Sequence, residues 1–204
     1  MPSADFFSTM GFFVVRNFLD SATCTRLRDE VRTARQAPAT VRTDEDSYDI
    51  DRTTRSTDLA DVSPEARHLV EMALSDVMPQ VAGHYGVALS GWQRVQFLVY
   101  REGDFFRPHR DSADDEDTSS FSRARQVAAV IFLNGEGDPG SSDGFRGGAL
   151  TFYGLFDRED TEKLGFPLEA EQGLLVTFRT NVTHEVRPVE AGERNTAVTW
   201  FVGD

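Results

Sequence analysis

His109 and Asp111 stand two residues apart in the segment RPHRDS. On a β-strand, side chains at i and i+2 leave the same face, so this imidazole and carboxylate can grip one metal ion together. Two histidines and one carboxylate are the donor set that leaves coordination positions open on Fe(II) for a co-substrate and O2. The third ligand must come from a separate, later strand, and His184 lies in such a run at 183–189. The remaining histidines sit on or near a helical stripe, where His68 reads as solvent-facing and His84 as a helix-end residue paired with backbone. Alone, the His-x-Asp pair also fits a surface histidine beside a carboxylate, so its company decides.

Beyond His184, a turn at 190–193 (EAGE) predicts a hairpin leading to Arg194. An arginine facing the interior is costly unless it meets an anion. Its planar fork matches a carboxylate through two parallel hydrogen bonds. Thr196 shares its face and adds a hydroxyl. A dicarboxylate that chelates the metal at one end and reaches Arg194 at the other satisfies both groups, and 2-oxoglutarate has that form.

The elements that must position these residues follow from periodicity. Residues 11–19 (GFFVVRNFL) read as a short strand, and Asp20 or Ser21 caps a helix over about 22–36 with Leu27, Val31 and Ala34 on one face. Residues 37–62 are polar and aperiodic, which predicts a long loop, either a lid or a disordered insertion. Ser63-Pro64 opens a second helix whose stripe of Leu69, Val70, Ala73, Leu74, Val77, Val81 and Tyr85 ends at Gly86, with a kink expected at Pro79. From residue 92 onward, short β-branched and aromatic runs alternate with turns: 92–101, 105–111, 126–133, 148–154, 173–180, 183–189 and 194–202. That pattern predicts a β-sandwich or jelly roll, with 111–120 and the glycine-rich run 135–148 as loops.

Composition narrows the function. A chain of 204 residues with 39% hydrophobic residues can bury a real core. No apolar run approaches the roughly 18 residues a membrane helix needs, so no membrane span is expected. The net charge of −13 argues against a nucleic-acid partner gripped through phosphates. The lone Cys24 rules out an internal disulfide, and the N-terminus lacks a basic region ahead of its apolar residues, so a cytoplasmic location is expected.

The segment Tyr100-x-x-Gly103-x-x-Phe106-x-x-His109-x-Asp111 resembles the first metal motif of the Fe(II)/2-oxoglutarate dioxygenases of the prolyl 4-hydroxylase group. FLN at 132–134 and GGALTF at 147–152 look like that family's next core strands. HEVRP at 184–188, followed by Arg194 and Trp200, is similar to the hypoxia-sensing prolyl hydroxylases and their bacterial relatives. The resemblance covers about residues 92–202. It implies an α+β fold: a double-stranded β-helix (jelly-roll) core with N-terminal helices packed on one sheet. Residues 1–204 then form a single domain, with strand, helices and polar loop in 1–90 and the core in 91–204.

The same resemblance implies roles. His109, Asp111 and His184 would bind Fe(II), Arg194 the distal carboxylate of 2-oxoglutarate, and Tyr100 and Thr196 would add hydrogen bonds to it. Trp200 would line the pocket or serve the core. The implied reaction consumes 2-oxoglutarate and O2, releases succinate and CO2, and hydroxylates an unactivated C–H bond, with ascorbate binding as an accompaniment. A prolyl residue in a protein or peptide is the implied substrate, and the loop at 37–62 would close over it. The acidic run Asp114 to Asp117 near the site mouth would favour a basic peptide. Hydroxylation of a small molecule (a free amino acid or natural product) and a non-catalytic metal-binding jelly roll remain as alternatives. Oligomeric state is open.

Overall fold

The computed structural model describes residues 2–44, 47–112, 124–139, 144–156, 161 and 163–203. The acidic run Asp114 to Asp117 lies outside them.

Helix α1 (Ala4–Thr9) leads to strand β1 (Phe13–Val15) and helix α2 (Ser21–Thr33). The short α1 has no sequence period, yet Phe7 is fully buried. Asp20 starts α2 by accepting the Thr23 N–H at 2.7 Å, which satisfies one donor the first turn leaves open. Cys24, Leu27 and Val31 face inward. The helix stops at Thr33 rather than near residue 36. Pro38 disfavours helix at the residue before it, and Arg35–Pro38 instead forms β2, paired antiparallel with β6 (Asp58–Asp61).

The polar stretch 37–62 is therefore not the long loop its composition predicted. It also holds the hairpin of β3 (Val41–Asp44) and β4 (Ser47–Asp49), and the short β5 (Arg55–Ser56). These strands lack an apolar period because β2 and β5 are sheet edges and β3–β4 pair only with each other. Helix α3 (Pro64–Tyr85) follows the predicted bounds. The Ser63 hydroxyl accepts the Ala66 N–H at 3.2 Å, and Gly86 closes the helix at φ +63°, a conformation open to glycine. Val70, Leu74, Val77, Val81 and Tyr85 are buried, whereas Pro79 lies on the exposed face.

The β region then runs β7 (Gly91–Trp92), β8 (Gln96–Tyr100), β9 (Phe105–His109), β10 (Arg125–Phe132), β11 (Gly135–Glu136), β12 (Gly144–Gly147), β13 (Leu150–Phe152), β14 (Phe166–Leu168), β15 (Leu175–Arg179), β16 (His184–Val186), β17 (Val189–Gly192) and β18 (Arg194–Val202). The major sheet has the order β1-β15-β10-β18-β8-β6-β2, with β7 also against β18. The minor sheet has the order β14-β13-β16-β9-β5, and β11-β12-β17 form a third, small sheet. The glycine-rich run 135–148, expected as loop, thus contains β11 and β12.

Alternation on the major sheet separates two cores. Val127, Ala129 and Ile131 of β10, and Ala197 and Phe201 of β18, pack with α2 and α3. Ala128, Val130, Phe132 and Trp200 point the other way, toward Phe152, Leu150 and Val186 of the minor sheet. The architecture is the expected α+β jelly roll with helices on one sheet.

Candidate active site

The minor sheet brings the two histidines together. His184 of β16 is the register partner of His109 on β9, and their rings lie 4.2 Å apart. Asp111 is past the end of β9, so it does not share the strand face the sequence assigned to it. The chain has peeled off toward the major sheet, where the Asp111 N–H donates to the Thr180 carbonyl at 2.9 Å. That bond still aims the carboxylate at the histidines. Asp111 Oδ1 is 3.8 Å from His109 Nε2, and Oδ2 is 3.6 Å from His184 Nε2. The three ligand atoms lie within 4.8 Å of one another, a spacing that can hold one metal ion.

Both rings are set for coordination. His109 Nδ1 pairs with the Arg107 carbonyl at 2.8 Å, and His184 Nδ1 with the Val182 carbonyl at 2.9 Å. A carbonyl only accepts, so each Nδ1 carries the proton and each Nε2 keeps its lone pair for a metal. Burial, with His184 adding to it, pushes the His109 pKa down to about 3, so the ring is neutral at ordinary pH. Phe106 stacks on His109 at 3.6 Å, and Phe178 packs edge-on to His184 at 4.7 Å. Phe7 and Phe12 reach that aromatic cluster through Phe152, which is how the N-terminal segment supports the second histidine.

The opposite wall is the major sheet. Arg194 begins β18 and pairs in register with Tyr100 of β8. It is 1% exposed, and burial lowers its pKa to about 10. Its guanidinium stands 5.2 Å over Tyr100 and 5.0 Å over Phe132, and NH1 donates to the Thr196 hydroxyl at 3.4 Å. Among the described residues it has no carboxylate within ion-pair distance, and its Nε is buried without a partner. A buried guanidinium left this way costs several kcal/mol unless an anion arrives. Arg194, Tyr100 and Thr196 line the same cavity as His109, Asp111 and His184, together with Leu98, Val130 and Leu150. The donor set fits Fe(II), and the orphaned guanidinium fits the far carboxylate of 2-oxoglutarate.

The predicted hairpin at 190–193 does not form. Residues 189–192 are β17, paired with β12 of the small sheet. The connection therefore crosses from the minor to the major sheet, which sets His184 and Arg194 on facing walls rather than on adjacent strands. His68 is exposed, and His84 Nε2 bonds the Gly11 carbonyl at 2.9 Å, both as expected. Trp200 lines the cavity, and Arg125 stacks on its ring at 3.7 Å. Sequence reasoning missed Arg55, which lines the cavity with its guanidinium 4.8 Å over Phe106. It sits in the polar stretch, where no spacing marked it.

Residues 95–202 match the family described as the 2OG-Fe(II) oxygenase superfamily. Among solved structures, the chain is similar to a Pseudomonas putida prolyl-4-hydroxylase, with 25% identity and TM-score 0.71 over 98% of this chain and 96% of that one. It also shares its fold with a Trichoplax adhaerens prolyl hydroxylase in complex with a hypoxia inducible factor oxygen degradation domain peptide fragment (18% identity, TM-score 0.73, 97% and 86% covered). A viral collagen prolyl hydroxylase from Paramecium Bursaria Chlorella virus-1, in a 2OG complex, is a third (14% identity, TM-score 0.60, 95% and 96% covered). No curated protein matches the sequence.

Proposed function

The chain belongs to the 2OG-Fe(II) oxygenase superfamily, and from that premise we propose that it hydroxylates a prolyl residue of a protein or peptide, releasing succinate and CO2. It is a 2-oxoglutarate-dependent dioxygenase, and its cofactors are Fe(II), 2-oxoglutarate and O2. Bound iron and 2-oxoglutarate supply the reduction of O2 that makes an unactivated C–H bond breakable. The chain's residues do the rest. His109, Asp111 and His184 would hold the metal through their three donor atoms. Arg194 anchors the far carboxylate of 2-oxoglutarate, with Thr196 beside it and Tyr100 across the strand pair. Leu98, Val130, Leu150 and Phe178 keep water from the cavity, and Trp200 borders the substrate's approach.

The observation that carries this reading is the buried guanidinium of Arg194, without a carboxylate partner, in one cavity with the triad. The prolyl substrate is supported by the likeness to a prolyl-4-hydroxylase over nearly the full length of both chains.

The test is an anaerobic visible titration of the metal-free protein with Fe(II) and then 2-oxoglutarate. A charge-transfer band that needs both, and that Asp111→Ala abolishes, is the expected result. No band from folded, iron-loaded protein would overturn it. Succinate release in the presence of proline-containing peptides, against free amino acids, then separates peptide from small-molecule hydroxylation.

A further inference from the structure

Two clefts leave the site. One, of about 320 Å³, opens at the triad and carries Arg55, Arg110 and Arg125. The other, of about 430 Å³, carries Arg35, Arg67 and Arg94. Leu59, Gln96 and Trp200 line both, so the two meet as one groove. Among the described residues lining that groove, the carboxylates are Asp111, a member of the triad, and Asp61. Asp61 lies 3.3 Å from Arg94 and 3.9 Å from Arg67, and it is also the register partner of Arg35. One carboxylate thus faces three guanidiniums. Among its described lining residues the second cleft thus carries an excess of guanidiniums over carboxylate, although the chain as a whole carries −13. Low-dielectric walls focus such a field along the groove.

We propose that the groove receives an extended acidic segment of polypeptide, with the reacting residue at the triad and the segment's carboxylates at Arg35 and Arg94. The proposal rests on the peptide-hydroxylase reading and adds the charge of the substrate. Its sign is opposite to the basic partner expected from the run at Asp114 to Asp117. A peptide fits better than a nucleic acid because the groove mixes its guanidiniums with the apolar faces of Leu59 and Trp200. A long polyanion would also meet the repulsion of the −13 surface beyond the groove.

The test uses the Fe(II)- and 2-oxoglutarate-loaded protein under nitrogen. Three labelled probes are followed by fluorescence anisotropy: a proline peptide flanked by glutamates, the same peptide with glutamines, and a thymidine oligonucleotide. The glutamate peptide should bind at least about tenfold tighter than the glutamine peptide, and the preference should vanish in about 1 M salt, where the screening length is about 3 Å. The double variant Arg35→Glu, Arg94→Glu should lose the preference while its 2-oxoglutarate titration stays unchanged. Arg35→Gln with Arg94→Gln should weaken it in the same direction without introducing new charge. Equal binding of the two peptides, or a preference that survives the double variant, would overturn the proposal. So would tighter binding of the oligonucleotide, which would assign the groove to nucleic acid. A missing charge-transfer band in the same sample would instead overturn the oxygenase site itself, so the two failures are distinguishable.

Discussion

Arg194 is buried as deeply as any apolar core residue, yet it carries a charge that the described residues leave unpaired. If its partner is the co-substrate's carboxylate, Arg194→Ala should raise the 2-oxoglutarate requirement by about 10-fold to 100-fold, the value of a charge-assisted hydrogen-bonded pair. The iron requirement should barely move. Titrating each in turn checks this, and equal losses would make Arg194 a packing residue. His109 carries a pH signature. The unfolded ring takes a proton near pH 6.5, whereas the folded one resists until about 3. Between those values the unfolded state binds the extra proton, so stability falls as pH falls, by up to about 1.4 kcal/mol per pH unit. Urea melts of the metal-free protein at descending pH should show this slope, and His109→Gln should flatten it. The residue scale was the most legible in the sequence. His109, Asp111, His184 and Arg194 could be singled out because metal-ligating and anion-binding chemistry is confined to few residue types, and the fold brings all four to one cavity.

At the scale of elements, the connection from β16 to β18 decides the site's shape. By running through β17 and pairing with β12, it carries the chain from the minor sheet to the major one instead of turning it back. Gly148, at the end of that small sheet, has φ +63°. A Cβ there would lie 2.8 Å from Val189 Cγ2 and 3.0 Å from Arg194 Cδ. Gly148→Ala should therefore cost at least about 1 kcal/mol of stability from backbone conformation alone. It should also weaken 2-oxoglutarate binding by displacing the Arg194 stem. A thermal melt and the co-substrate titration on one sample read both effects, and unchanged 2-oxoglutarate affinity would show that the stem tolerates the contact. Elements with a buried face were legible: α3 matches its stripe, and β10 and β18 fall where β-branched runs lie. Elements at edges were not. Strands β2 and β5 came from a polar stretch because an edge strand has too little buried face to impose a period.

For the whole molecule, the major sheet works as a partition. Its helix-side core holds the architecture, and its inner face holds the chemistry. Leu74 of α3 is fully buried in the helix-side core, away from the cavity. Leu74→Ala should lower unfolding stability by about 2–5 kcal/mol. Affinity for Fe(II) and 2-oxoglutarate should persist wherever the variant is folded, as expected of distant sites that act independently. Urea melts beside the charge-transfer titration test this separation. By itself, the sequence determined which residue types could serve metal and anion chemistry, the buried faces of α2 and α3 and the strand-rich character of the chain beyond residue 90, because residue type and local period are encoded within a few neighbours. The tertiary structure alone decided three things. It placed Asp111 beyond its strand, His184 and Arg194 on facing walls, and the arginines of several distant segments along one groove. Each depends on which strands pair across long stretches of chain, and alternation within a strand says which face is buried without naming the partner it is buried against.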